Sequence, residues 1–186
     1  MLRERLNTSS SSFFEKIRSI DYLLIFVILL IGVISGFAMY STDGGQFLYH
    51  TKSHIVRFGI FFSLFILLSF IHVKVWHGIG YLFYFIILLM LIWALYFGIT
   101  ISGSQRWINL YLLNLQPSEL MKIAIIIAFA KFYHRIQASE VNSIKNIVQP
   151  IVLLCLPIFL VVAQPDLGTS ILIAGSGISV MWLSGL

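Results

Sequence analysis

From Tyr22 to Thr42 the chain runs for 21 residues without a charged side chain, and this stretch limits the possible folds more than any other feature. About 20 apolar residues carry a helix across the hydrocarbon core of a bilayer, whereas the apolar region of a cleavable signal sequence is only about 7–15 residues long. No A-x-A-like cleavage site follows, so the segment reads as a first membrane helix that the mature protein keeps. Further apolar runs predict helices at about 22–42, 54–73, 78–99, 118–134, 147–164 and 167–186. The expected fold class is all-α: a polytopic membrane helix bundle of about six transmembrane helices. Residues 22–186 form its membrane domain. Residues 1–21 form a polar leader with Arg3, Arg5, Lys16, Arg18 and the serine run Ser9–Ser12. Much of the leader is expected to be disordered, with Phe13, Phe14 and Ile17 against the membrane surface. Only the connection 100–117 is long, so backbone polar groups can be satisfied within helices, as a bilayer requires.

Composition excludes the soluble alternative. Charged residues are 10% of the chain and hydrophobic ones 59%, against about 25% charged in ordinary soluble domains. The formal charge of +5 does not indicate nucleic acid, because the basic residues sit between apolar runs and form no continuous face. They instead set orientation, since inner loops carry the excess of Lys and Arg. A cytoplasmic N-terminus puts Arg3, Arg5, Lys16, Arg18, Lys74, Lys131, Arg135 and Lys145 inside, against Lys52, Arg57, Arg106 and Lys122 outside. The loops 43–53, 100–117 and 163–166 then face outward.

Several features carry structural meaning alone. Cys155 is the single cysteine; it lies in an apolar run and reads as a small buried hydrophobe. Trp76, Tyr81, Trp93, Tyr96 and Tyr111 fall near expected interfaces, where aromatic belts form. Gly32-x-x-x-Gly36 and Ala174-Gly175-Ser176-Gly177 present small-residue faces for close helix packing. His50 and His54 have the i,i+4 spacing of a zinc pair, but no acidic residue stands at metalloprotease spacing. They read as interfacial polar residues, and no metal site is expected.

Chemistry concentrates around the fourth helix. Glu119 and Lys122 lie at its start, and only eight uncharged residues separate Lys122 from Lys131. Charges inside a span are costly and usually face a bundle interior or a wet cavity. At i,i+3 the two side chains share a face and can pair, so the spacing fits a helix-end salt bridge and a polar cavity equally. Pro117 suits a first helical turn, with Gln116 and Ser118 on either side. Arg106 beside Trp107 is a forked donor suited to pyrophosphate or carboxylate, or an interfacial anchor. Asp166, after Gln164 and Pro165 and before Gly168 and Thr169, has the position of an N-cap. As a carboxylate at the same outer mouth it could also complete a polar site.

These segments resemble a known family. Gly103-Ser104-Gln105-Arg106-Trp107-Ile108, then Gln116-Pro117-Ser118-Glu119-Leu120 with Lys122, then Gln164-Pro165-Asp166-Leu167-Gly168-Thr169 are similar in content and order to the motifs of the RodA/FtsW (SEDS) proteins. Asp21-Tyr22-Leu23-Leu24 and Tyr40-Ser41 look more like the RodA branch. The resemblance implies a peptidoglycan glycosyltransferase of cell-wall elongation and cell shape. Such an enzyme polymerises lipid II on the outer face of the bacterial cytoplasmic membrane beside a class B penicillin-binding protein transpeptidase. It implies that Arg106, Glu119, Lys122 and Asp166 line the lipid II cavity, supported by Trp107, Gln116, Pro117, Ser118, Gln164, Pro165 and Gly168. Membrane lipids are the other expected partners. No cofactor is specified, although a divalent cation could serve the complete enzyme.

The departures from the family pattern are equally specific. The family's catalytic Asp lies in an outer loop after a seventh helix, and no residue here matches it, so no catalytic residue is expected within this chain. A general base must reach the acceptor hydroxyl it deprotonates. Tyr111 stands where the family usually has glycine. The chain is therefore expected to be an N-terminal half, inactive alone, with its sixth helix running out at Leu186. A lipid II flippase or transporter-type protein is the alternative reading, and a non-catalytic membrane fragment the third.

Overall fold

The computed structural model describes residues 20–101, 103–110 and 114–186. The leader, apart from its last residues, and Tyr111 lie outside the described residues. The chain forms two compact units, Met1–His72 and Val73–Leu186. It is mostly helical, with helices α1 (Tyr22–Thr42), α2 (Tyr49–Ser69), α3 (Val73–Phe97), α4 (Pro117–Tyr133), α5 (Ile144–Ala163) and α6 (Leu167–Leu183). Four of these, α1, α2, α3 and α5, are long and apolar enough to cross a membrane, and α6 is a shorter apolar helix of 17 residues. The protein is a multi-pass membrane helix bundle.

In the first unit α1 and α2 form an antiparallel pair. Helix α1 is apolar all round and buries only Gly32, as expected of a helix whose solvent is lipid. The Phe58 ring fills the space where Gly32 lacks a Cβ. Beside it, His54 Nε2 lies 3.0 Å from Ser35 Oγ and 3.3 Å from the Gly32 carbonyl, so the Gly32-x-x-x-Gly36 face does bring α2 close. The second helix starts at Tyr49, five residues before the expected 54. Its N-cap position is Leu48, which has no side-chain oxygen to offer. Asp43 reaches back and takes that role: its Oδ2 accepts from the Thr51 N–H at 2.8 Å and the Thr51 hydroxyl at 2.7 Å. A carboxylate among the orphan N–H groups of a first turn is favourable, which lets the helix begin before its apolar run does. Burial raises the Asp43 pKa, but the hydrogen bonds from Thr51 and His50 outweigh it and the net direction is downward.

In the second unit α4 is the central helix, packing against α3 and α6. It buries Ser118, Met121, Ala124, Ile125, Ala128 and Phe129, the three-and-four spacing of a helical face. On the facing helices Tyr84, Ile87, Leu91, Leu154, Val161 and Ile173 complete the core. A Cβ on Gly177 of α6 would come within 2.6 Å of Leu154 Cδ1 on α5, whereas one on Gly175 would meet nothing within 4 Å. Of that small-residue run, Gly177 is the residue that sets the α5–α6 approach.

Helix α5 contains Pro150 and Pro157 in its interior. Proline has no N–H, so each removes the helical donor to the carbonyl four residues earlier, here those of Asn146 and Leu153. Both carbonyls find donors on other helices: Tyr84 donates to Leu153 O at 2.8 Å, and Tyr133 to Asn146 O at 3.4 Å. The second bond is long and correspondingly weak.

Other boundaries also differ from those expected. Helix α3 starts at Val73 rather than 78, and α5 at Ile144 rather than 147, because both continue past their apolar runs into the interface. Helix α6 stops at Leu183 rather than 186. Gly185 (φ +99) takes the left-handed position, with Gly185 N–H on Trp182 O and Leu186 N–H on Met181 O, the two bonds of a Schellman stop. The long connection after α3, read only as a loop in an all-α protein, contains a small antiparallel sheet of β1 (Ile99–Ile101), β2 (Ser104–Asn109) and β3 (Asn114–Leu115), in that order.

Candidate functional site

The sheet positions the first site residue. Ile101 pairs with Ser104 and Ile99 with Trp107, and Gly103 (φ +81) supplies the left-handed backbone that so tight a hairpin requires. Gln105 Nε2 donates to Tyr96 O at 3.3 Å, holding β2 to the end of α3. Arg106, in the middle of β2, thereby reaches the start of α6.

There it meets Asp166, whose two carboxylate oxygens divide their work. Oδ1 accepts the Thr169 N–H at 3.2 Å and so caps α6. Oδ2 accepts from Arg106 Nη1 at 2.8 Å and from Gln116 Nε2 at 3.0 Å. Asp166 thus caps α6 through one oxygen and joins Arg106 and Gln116 through the other. Three segments far apart in sequence, β2, the lead-in to α4 and the start of α6, are joined through this one side chain. Asp166 is 8% exposed, and burial alone raises a carboxyl pKa. The hydrogen bonds from Thr169 and the charge and hydrogen bond of Arg106 prevail, and its pKa is lowered.

Glu119 and Lys122 join each other, with Lys122 Nζ 2.9 Å from both Glu119 oxygens. This pair and Arg106–Asp166 are the ion pairs among the described residues, so the four expected cavity residues form two separate pairs. Glu119 is exposed, with 54% of its side chain accessible; an exposed pair of this kind adds little stability.

The supporting residues have distinct places. Pro117 is buried at the first position of α4, where its missing N–H costs nothing. Gln164, 2% exposed, donates to Leu91 O at 3.0 Å and ties the end of α5 to α3. Gly168 has space beside it, since a Cβ there would touch nothing nearer than Asp166 Oδ1 at 4.0 Å. Arg106 Nε, Trp107 Nε1 and Ser118 Oγ are buried atoms without a hydrogen-bond partner among the described residues. Buried polar atoms are normally paired, so these three are unmet hydrogen-bonding capacity on β2 and the first turn of α4. Sequence reading did not identify the tie between Gln105 and Tyr96 or the role of the Leu91 carbonyl, because backbone acceptors leave no mark in a sequence. No group of three or more His, Cys, Asp or Glu that could hold a metal ion occurs among the described residues.

Comparison with known proteins identifies the family. The family model described as cell cycle protein, FtsW/RodA/SpoVE, matches residues 16–186. The peptidoglycan glycosyltransferase MrdB of Escherichia coli K12 is 33% identical over 180 residues, covering 97% of this chain and 48% of that protein. A probable peptidoglycan glycosyltransferase FtsW of Buchnera aphidicola (Acyrthosiphon pisum) is 32% identical, over 99% of this chain and 47% of its own length. The crystal structure of the rod shape determining protein RodA of Thermus thermophilus superposes with a TM-score of 0.77 at 27% identity, over 90% of this chain and 55% of that one. A chain of a peptidoglycan synthase complex, whose structure concerns the coordination of polymerization and crosslinking, gives 0.77 at 27% identity, over 90% and 48%. The chain thus spans about half the length of the curated relatives it matches. With its three motifs in order and the family model matching from residue 16 onward, this chain belongs to the FtsW/RodA/SpoVE family of cell cycle proteins.

Proposed function

We infer that this chain supplies the substrate-receiving half of a RodA-like peptidoglycan glycosyltransferase, a lipid II polymerase of cell-wall elongation and cell shape. The observation that carries this reading is the junction of Arg106, Gln116 and Asp166, with Nε of the same Arg106 guanidinium buried and unpartnered. A guanidinium held by one carboxylate oxygen keeps further N–H donors for a pyrophosphate, and its fork suits that group better than an ammonium does. Lys122, paired but 23% accessible, adds a second cation on the first turns of α4. The polar mouth receives the headgroup, while the apolar flanks of the helices accept the lipid tail.

The chain acts in the bacterial cytoplasmic membrane with its N-terminus inside, so this mouth faces outward. Its leader, residues 1–21, is cytoplasmic. The general base comes from outside the 186 residues, and Arg106, Lys122 and Asp166 bind and orient. A class B penicillin-binding protein is the crosslinking partner; the similarity to a chain of a peptidoglycan synthase complex supports this.

The test is polymerisation of fluorescent lipid II by a chimera in which this chain replaces the matching half of Escherichia coli MrdB. Glycan strands are expected from the chimera, fewer or none from the chimera bearing Arg106→Gln, and none from the 186-residue chain alone. A chimera that folds and binds lipid II but is indifferent to Arg106→Gln removes Arg106 from the site. Product from the isolated chain would overturn the assignment of the base elsewhere.

A further inference from the structure

At the opposite end of α4 from Arg106 and Asp166 stands a second polar cluster, which the reading above does not use. Lys131, 9% exposed, donates to the Gly78 carbonyl at 2.6 Å and places its ammonium 4.9 Å from the centre of the Tyr81 ring. The His77 and His134 rings meet edge to face at 5.1 Å. The charged or titratable groups facing His77 are His134, Lys131 and Arg135, all of them cationic when charged. Neither ion pair among the described residues includes any of them, and His77 Nε2 is buried without a hydrogen-bond partner. Two fixed cations, Lys131 and Arg135, with no ion-pair partner among the described residues and an unused buried imidazole nitrogen beside them, are short of negative charge.

Next to it lies an open apolar groove of about 430 Å³, lined by Tyr81, Phe132, Val148, Val152 and Leu153 among others. Tyr81 belongs to both features: its ring carries the Lys131 ammonium and also forms the groove wall. Val148 and Val152 are 49% and 58% exposed, so the groove opens on a surface that a membrane helix turns to lipid. An anion of this shape has a charged head and an apolar tail side by side.

We propose that His77, Lys131, His134 and Arg135, with the Tyr81–Val152 groove, form a binding site for one anionic phospholipid of the leaflet at this end of the helices. The phosphate takes the remaining Lys131 N–H donors and the imidazoles, and an acyl chain lies along α5. Basic pockets between helices at the cytoplasmic surface are suited to such headgroups, and the Lys and Arg distribution assigns this end to the inner side. An acidic peptide would satisfy the cations but would leave the lipid-facing groove empty.

The experiment is native mass spectrometry of the detergent-purified chain with dioleoyl-phosphatidylglycerol or dioleoyl-phosphatidylcholine. One phosphatidylglycerol retained in preference to phosphatidylcholine is expected. Arg135→Gln and His134→Gln, both at exposed positions, leave the fold intact; loss of the Arg135 charge weakens retention roughly five-fold. Val152→Trp fills the groove without altering charge and lowers retention as well. Equal retention of the two lipids, or retention unmoved by Arg135→Gln and His134→Gln, overturns the proposal. Retention unmoved by Val152→Trp, or lipid fully displaced by excess inorganic phosphate, overturns the lipid assignment and leaves an anion site for a soluble phosphate or an acidic peptide. None of these outcomes depends on glycosyltransferase activity.

Discussion

The Tyr84 hydroxyl on α3 donates at 2.8 Å to the Leu153 carbonyl on α5, the carbonyl that Pro157 leaves without its helical donor. The relationship is compensatory. In a low-dielectric interior an unpaired carbonyl is expensive, so the proline is tolerated because a neighbouring helix meets the need it creates.

This compensation predicts a coupling. Tyr84→Phe should cost about 1–3 kcal/mol, the range for leaving a buried acceptor unsatisfied, measured as thermal unfolding in detergent. In a Pro157→Ala background the same change should cost much less, because residue 157 regains an N–H for Leu153. Tyr133→Phe should cost less than Tyr84→Phe, since its bond to Asn146 is 3.4 Å long. Equal costs with and without Pro157 would refute the compensation.

The Arg106–Asp166 junction should be worth more than the Glu119–Lys122 pair. Arg106→Gln removes a charge-assisted hydrogen bond from a carboxylate that is 8% exposed, and about 1.5–3 kcal/mol should be lost. Asp166→Ala should lose more, because it also removes the cap of α6, worth about 1 kcal/mol. Lys122→Gln should change stability by less than about 1 kcal/mol. Unfolding midpoints of the three variants in one detergent rank these effects directly.

The lowered pKa of Asp166 also fixes a pH dependence. Its folded value lies below the ordinary carboxyl value of 3.8, so between the two the unfolded state binds more protons than the folded one. Stability from this group is complete above about pH 3.8 and declines as pH falls through the folded pKa. Asp43, lowered likewise, contributes in the same window. Unfolding midpoints taken from neutral pH downward should fall there, and Asp166→Asn should flatten the curve in part. An unchanged slope in Asp166→Asn would show that the carboxylate gains nothing from its partners.

Ser118 separates binding from stability. Its Oγ is buried without a partner, so Ser118→Ala should leave the unfolding midpoint unchanged or slightly raised. In the MrdB chimera the same substitution should reduce lipid II polymerisation if the hydroxyl meets the substrate. Wild-type activity from a well-folded Ser118→Ala chimera would leave it a packing residue.

At the α5–α6 interface, Gly177→Val should cost roughly 1–3 kcal/mol through overpacking, since even a Cβ would lie 2.6 Å from Leu154 Cδ1. Leu154→Ala should offset much of that loss in the double variant, as thermal unfolding will show. Gly175→Ala, with nothing nearby to strike, should be close to neutral.

By itself the sequence determined the number and rough extent of the helices and the identity of the motif residues. Long uncharged apolar runs permit little besides membrane helices, and proline, glycine and charge act over a few neighbouring residues. The family, too, was legible, because three motifs recur in order. Tertiary structure alone decided that Asp166 serves the α6 cap and Arg106 through different oxygens, and that Glu119 and Lys122 pair apart from them. It also set the start of α2 through Asp43, folded the long connection into a sheet around Gly103, and matched Tyr84 to the carbonyl freed by Pro157. The bonds of Arg106 to Asp166 and of Tyr84 to Leu153 join groups distant along the chain. Local composition fixes which donors and acceptors need partners, and only packing brings a particular partner within reach.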